Sequence, residues 1–176
     1  MASAHYPRVL TYAASVVVIV MGVAGAGKTT IGRALAAATG WRFVEGDELH
    51  TPAAVEQMRA GIPLTDADRE SWIAALHQII AAATNRREAL ILSCSALKER
   101  YREALRGDLC GVRFVYLEAD PETLARRLAS RAGHFAGPSL LPSQLAALEP
   151  PIDEITIDAT QPTDQIVHAI RLELGI

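Results

Sequence analysis

Val16-Val17-Val18-Ile19-Val20-Met21 is an uninterrupted apolar run, the pattern of a parallel strand buried on both faces. Downstream, Ile31, Leu35 and Ala36 recur at helical spacing, with Gly40 placed to cap that helix. Trp41-Arg42-Phe43-Val44-Glu45 reads as a short second strand ending at Gly46-Asp47. His50 to Ala60 follows as a short helix with Val55 and Met58 at apolar spacing, stopped by Gly61-Ile62-Pro63. Thr65 has the chemistry of an N-cap, and Trp72, Ile73, Leu76, Ile79, Ile80 and Ala83 keep the helical period through a long core-facing helix, with His77 off the stripe. Ala89 to Ser93 is a third strand, and Ser95 opens a helix that turns Leu97, Tyr101 and Leu105 inward. Its other side carries Lys98, Arg102 and Arg106 one turn apart, a solvated face at Arg106.

The second half repeats the alternation. Val112 to Leu117 is a fourth strand, and Asp120-Pro121 supplies an N-cap and a proline at the first helical position. In the helix to Ser130, Arg127 precedes Arg131 by one turn, so the two share a face. Ala132 to Pro142, with two glycines and two prolines, reads as a mobile loop. Gln144 to Leu148 is a short helix, Ile155 to Asp158 a fifth strand and Pro162 to Leu174 a closing helix. Strands alternating with helices predict an α/β fold with a five-stranded parallel sheet flanked by helices.

Between the first strand and the first helix lies Gly22-Val23-Ala24-Gly25-Ala26-Gly27-Lys28-Thr29, which fits G-x-x-x-x-G-K-[ST]. Glycines let successive N–H groups turn toward phosphate oxygens with no Cβ in the way. Lys28 supplies a point charge for the β- and γ-phosphates, Thr29 a hydroxyl for Mg²⁺, and Thr30 continues the helix start. Strand, glycine loop and helix occur in the order this phosphate-binding loop requires. Asp47, at the carboxyl end of the next strand, is expected to face the same crevice.

Composition narrows the partners. A chain of 176 residues is one domain by size, and a net charge of −3 with 21% charged residues points away from nucleic acid and from disorder. Cys94 and Cys110 lack C-x-x-C spacing, which fits buried thiols in a reducing, cytoplasmic setting rather than disulfides or a zinc site. Val9 to Ala26 is uncharged and superficially resembles a membrane or signal segment. Thr11, Tyr12 and Ser15 interrupt its first half and the glycine loop ends its second, so no membrane partner is expected. Residues 1–14 read as an N-terminal extension, disordered or an extra edge element, ahead of a domain over 15–176.

Four stretches resemble the gluconate kinase family of small P-loop kinases, relatives of shikimate and adenylate kinases. They are Gly46-Asp47-Glu48-Leu49-His50; Met58 through Pro63-Leu64-Thr65-Asp66-Ala67-Asp68-Arg69 to Trp72; Cys94-Ser95-Ala96-Leu97-Lys98 with Tyr101-Arg102; and Arg131-Ala132-Gly133-His134-Phe135 through Leu141, Ser143-Gln144, to Leu148-Glu149-Pro150. The resemblance implies a P-loop NTPase fold with a lid at about 127–149, and ATP- and Mg²⁺-dependent phosphorylation of D-gluconate to 6-phosphogluconate. Thr51, Ala54 and Gln57 depart from the family's H-P-x-x-N-x-x-K-M pattern, and Ala136-Gly137-Pro138 from its lid.

Phosphoryl transfer needs positioning and charge neutralisation more than covalent chemistry. Gly22 to Thr30 would bind the nucleotide, with Arg127 and Arg131 neutralising the transferring oxygens. Asp47 is either the carboxylate that orients or deprotonates the acceptor hydroxyl or, with Thr29, a magnesium partner. His50, Arg69, Lys98, Arg102, His134 and Gln144 are the polar candidates for a polyol carboxylate. Arg69 has an alternative as an ion pair with Asp66 or Glu70, and His134 as a lid fastener. A P-loop kinase for another acceptor such as shikimate, and a catalytically weak ATP-binding regulator, are the competing functions. A homodimer is left open.

Overall fold

The computed structural model describes residues 16–130 and 138–176. Residues 1–14, Arg131 and His134 lie outside the described residues, as does most of the loop expected after Ala132. Five strands, β1 (Val17–Met21), β2 (Arg42–Glu45), β3 (Leu90–Ser93), β4 (Val112–Glu118) and β5 (Ile155–Asp158), form one sheet in the order β2-β3-β1-β4-β5. Every pairing is parallel, and Ile19 of β1 sits level with Leu92 of β3 and Phe114 of β4. All five carboxyl ends therefore open on one edge, the edge at which ligands of open α/β sheets bind.

Strand alternation divides the core into two layers. Val18, Val20, Ile91, Val115 and Leu117 face a layer shared with α1 (Lys28–Thr39), α2 (Pro52–Arg59) and α7 (Thr163–Leu174). Val17, Ile19, Met21, Leu90, Leu92, Phe114 and Tyr116 face α3 (Asp66–Arg86) and α4 (Glu99–Arg106). Two further helices, α5 (Pro121–Ala129) and α6 (Leu141–Ala147), flank the carboxyl edge. β1 is completely buried because it pairs on both sides and is covered on both faces.

Local chemistry explains most boundaries. Thr65 and Asp68 form a capping box at the start of α3, each side chain accepting the other residue's N–H. Asp120 caps α5 with Pro121 behind it, and Gly40 ends α1 in the left-handed conformation at φ 74°. The helix expected from Ser95 instead starts at Glu99. Ala96 is left-handed at φ 45°, and the Arg102 guanidinium takes the carbonyls of Ala96 at 3.0 Å and Leu97 at 3.2 Å, which keeps those residues out of the helix. On the other side of the sheet, α6 begins three residues earlier than the pattern suggests, because Pro142 falls in the first turn, where no N–H is needed. Ile79 is half-buried, at the edge of the α3 stripe. The two thiols diverge: Cys94 is buried and desolvation pushes it up to about 12, whereas Cys110 is exposed, against the expectation for both.

Gly46, which follows β2, packs against the end of β3 at the carboxyl edge. A Cβ there would lie 2.2 Å from the Ser93 carbonyl oxygen, and the Gly46 carbonyl accepts the Trp72 indole N–H at 2.7 Å. Gly46→Ala is expected to destabilise the domain by about 1–3 kcal/mol, since backbone rather than a movable side chain must give way. Urea unfolding at neutral pH measures it. An unchanged midpoint would show that the strand ends relax freely.

Candidate active site

One crevice of about 340 Å³ runs along the carboxyl edge of the sheet. The phosphate loop forms its base. Gly25 and Gly27 have φ of 85° and 96°, a region costly for residues with a Cβ, and a Cβ on Gly25 would also meet the Leu124 carbonyl oxygen of α5 at 3.0 Å. The Val23 carbonyl accepts both the Ala26 N–H at 3.2 Å and Lys28 Nζ at 3.2 Å, and the Gly22 N–H reaches the Ser95 carbonyl at 3.3 Å. α1 follows directly, with Gly27 at its N-cap and no side chain capping it. Loop amides, a helix N-terminus and an ammonium group thus converge on one space, the arrangement that holds a polyphosphate. Thr29 and Thr30 also line the crevice.

Across from the loop, the 3₁₀ turn Gly46–Leu49 presents Asp47, and His50 follows it. The His50 ring stacks on Trp72 with centroids 4.2 Å apart and planes 18° from parallel, while Trp72 is fastened to Gly46. Burial holds the imidazole below the ordinary histidine value, with Asp47 pulling it up and Arg69 pushing it further down. Arg69, from the first turns of α3, lines this wall with Met58, Leu64, Ser95 and Leu97. Among the described residues it makes no ion pair with Asp66 or Glu70.

Lys98 and Arg102 do not line the crevice. Lys98 is the N-cap of α4, and its ammonium lies 3.0 Å and 3.3 Å from the two Asp66 oxygens. Asp66 also receives Arg100 and the Tyr101 hydroxyl, contacts that hold its carboxyl well below the usual range. Arg102 is 1% exposed and spent on Glu99 and the Ala96 and Leu97 carbonyls, so it shapes the wall from behind. Arg106, expected in solvent, is half-buried and paired with Glu154. Thr51 caps α2, Ala54 is buried in the core and Gln57 bonds the Pro63 carbonyl at 3.3 Å, and none of the three lines the crevice. Gln144 does line it, and its Oε1 accepts the Ala24 N–H at 2.7 Å.

At the far end of the crevice the expected Arg127 is joined by residues that the sequence did not single out. Arg127 reaches the Ala159 carbonyl at 2.7 Å, and Ala159, Gln161, Thr163 and Ile166 complete the wall. Asp158 holds the turn after β5 by accepting from Gln161 and from the Thr160 hydroxyl and N–H, which lower it to about 2. The signal was available in Asp158-Ala159-Thr160-Gln161-Pro162, an aspartate-initiated turn at a strand's carboxyl end. Among the described residues no cluster of three or more His, Cys, Asp or Glu could hold a metal, and no helix is long and apolar enough to cross a membrane.

Comparison with known proteins agrees with this geometry. Residues 17–151 match the AAA domain family. A gluconokinase of Gluconobacter oxydans is 52% identical over 136 residues, 77% of this chain and 76% of that protein. The thermosensitive gluconokinase of Escherichia coli is 42% identical over 164 residues, 87% and 88% of the two chains. A crystal structure of a gluconokinase from Sinorhizobium meliloti superposes with a TM-score of 0.81 at 42% identity, covering 91% of each chain. With the phosphate loop, the β2-β3-β1-β4-β5 sheet and these identities over most of its length, the chain belongs to the gluconokinase family of P-loop kinases.

Proposed function

We infer that this protein transfers the γ-phosphoryl group of ATP to a hydroxyl of D-gluconate, giving 6-phospho-D-gluconate and ADP. The observation that carries the assignment is the pairing, across one crevice, of the phosphate loop with a wall made of Asp47, His50 and Arg69. Family membership supplies the acceptor. Gly22 to Thr30 cradle the phosphates, and the Thr163 to Ile166 end of the crevice, beside Arg127, takes the nucleoside. Mg²⁺ suits the donor set, because it takes hard oxygen ligands and keeps waters and substrate phosphates as partners. Thr29 would hold it, and it would neutralise charge on the β- and γ-oxygens.

In the transfer, the acceptor oxygen bonds to the γ-phosphorus, the bridging bond to the β-phosphate breaks, and the hydroxyl proton passes to Asp47. Lys28 and Arg127 meet the charge that develops on the transferring and leaving oxygens. Arg131 and His134 belong to the same proposal on the strength of their motif. Arg69 is the cation for the gluconate carboxylate, in place of Lys98 and Arg102, because it lines the wall and is not committed to an acid. His50, kept neutral by burial, can both donate to and accept from the polyol hydroxyls.

Lys28→Ala is expected to lower kcat by orders of magnitude with an unchanged melting temperature; wild-type turnover in the folded variant would falsify the phosphate-loop role. Asp47→Asn should cost about 10²–10⁴ in rate at saturating Mg²⁺, the usual loss on removing a general base. If only the Mg²⁺ requirement rises, Asp47 serves the metal instead.

A charge-assisted hydrogen bond contributes about 1.5–3 kcal/mol, so D-gluconate should exceed D-glucose in kcat/KM by roughly ten- to a hundredfold or more. Arg69→Met should remove most of that gap while sparing the KM for ATP. Equal use of both sugars by the wild type would exclude carboxylate recognition.

For His50 the folded pKa is depressed, so its contribution to stability is complete above the unfolded value of about 6.5 and is lost as pH falls from there toward the lower folded value. The wild-type melting temperature should drop more steeply than that of His50→Gln between pH 7 and pH 5. Parallel profiles would show that His50 is not held neutral.

A further inference from the structure

We propose that Gln144 is a positioning residue of the phosphate loop, holding the Val23–Ala24 peptide in the orientation whose carbonyl receives Lys28. Its Oε1 accepts the Ala24 N–H at 2.7 Å. The opposite side of the same peptide plane, the Val23 carbonyl, accepts Lys28 Nζ at 3.2 Å and the Ala26 N–H at 3.2 Å. A trans peptide is planar, so its N–H and C=O point in opposite directions and turn together. Fixing the Ala24 N–H therefore fixes the carbonyl on which the lysine ammonium rests. Ala24 is buried, and its amide needs an acceptor that does not depend on solvent.

Gln144 can serve as a brace because its own segment is fastened. Leu140 and Leu141 are in the core, and the Ser143 hydroxyl donates to the Leu140 carbonyl at 2.8 Å. Beyond α6, the Glu149 N–H donates to the Leu97 carbonyl at 2.8 Å while its carboxylate accepts the Glu99 N–H at 2.6 Å. The amide oxygen of Gln144 is thus committed to the loop rather than to an acceptor hydroxyl, which moves the residue from the acceptor side to the nucleotide side of the reaction. The inference rests on the loop binding nucleotide, as proposed above, and not on the identity of the acceptor.

The test is calorimetric titration of ADP with Mg²⁺ in the absence of any acceptor. Gln144→Ala is expected to weaken ADP about three- to tenfold, the range for one lost hydrogen bond, with little change in melting temperature. In turnover, kcat should fall while the KM for gluconate stays within about twofold. Introduced into an Ala24→Pro protein, which lacks the donor, Gln144→Ala should weaken ADP no further, because the two changes remove one interaction. As a readout that does not require Ala24→Pro to fold, hydrogen exchange of the 22–28 segment should be faster in Gln144→Ala than in the wild type. Unchanged ADP affinity with a raised KM for gluconate would make Gln144 an acceptor ligand and overturn the inference. Tighter ADP binding, or unchanged exchange, would overturn it as well. Failure of the wild type to phosphorylate gluconate would refute the proposed function while leaving the ADP titration valid.

Discussion

Parallel pairing of β1 to β3 on one side and β4 on the other is the constraint on which the site depends. A strand hydrogen-bonded on both edges and covered on both faces must be apolar throughout, and Val17 to Met21 meets that demand. It also cannot shift register without dragging the sheet. The loop that leaves its carboxyl end is consequently anchored at a fixed point, and α1 is launched from that point toward the same layer as α7. The parallel arrangement brings Asp47, from the end of β2, and Ala159, from the end of β5, to the same edge.

Charge is apportioned by tertiary contacts rather than by helix faces. Lys98 and Arg100 converge with Tyr101 on Asp66, a carboxylate at the start of α3, and that hub keeps two cations out of the crevice. Arg102 goes further: it is buried and serves main-chain carbonyls that the left-handed Ala96 would otherwise leave exposed to an apolar layer. Arg69 is one helical turn from Asp66 yet takes no part in the hub. It sits over the Tyr101 ring, its guanidinium carbon 5.9 Å from the centroid, and lines the crevice. Among the described residues that line the crevice opposite the phosphate loop, Arg69 is the one cation, beside Asp47 and His50.

Segment 139–149 is tied to the body of the domain by its contacts. Two leucines in the core, Gln144 on the phosphate loop and Glu149 on the first turn of α4 tie it to three separate elements. Motion along the crevice would have to carry the phosphate loop's Ala24 peptide with it or break that contact.

The sequence by itself determined the fold class, the strand order of appearance and the phosphate loop. Those features rest on local signals: continuous apolar runs, glycines that positive φ requires, and caps such as Thr65 and Asp120 whose bonds span three residues. It also placed Asp47 at the carboxyl edge, because a strand's carboxyl end is legible from its pattern, whereas His50, read as the start of a helix, precedes α2 and lies against Trp72. Tertiary structure alone decided which cation faces the crevice. Along the chain Lys98, Arg102 and Arg69 are all candidate ligands, and only the positions of Asp66 and of the Ala96 and Leu97 carbonyls, set by the packing of α3 against α4, distinguish them. The Gln144 contact and the Arg127–Ala159 wall were hidden for the same reason. Each joins residues far apart in sequence whose meeting point is fixed by the sheet, and no local periodicity records a distance across it.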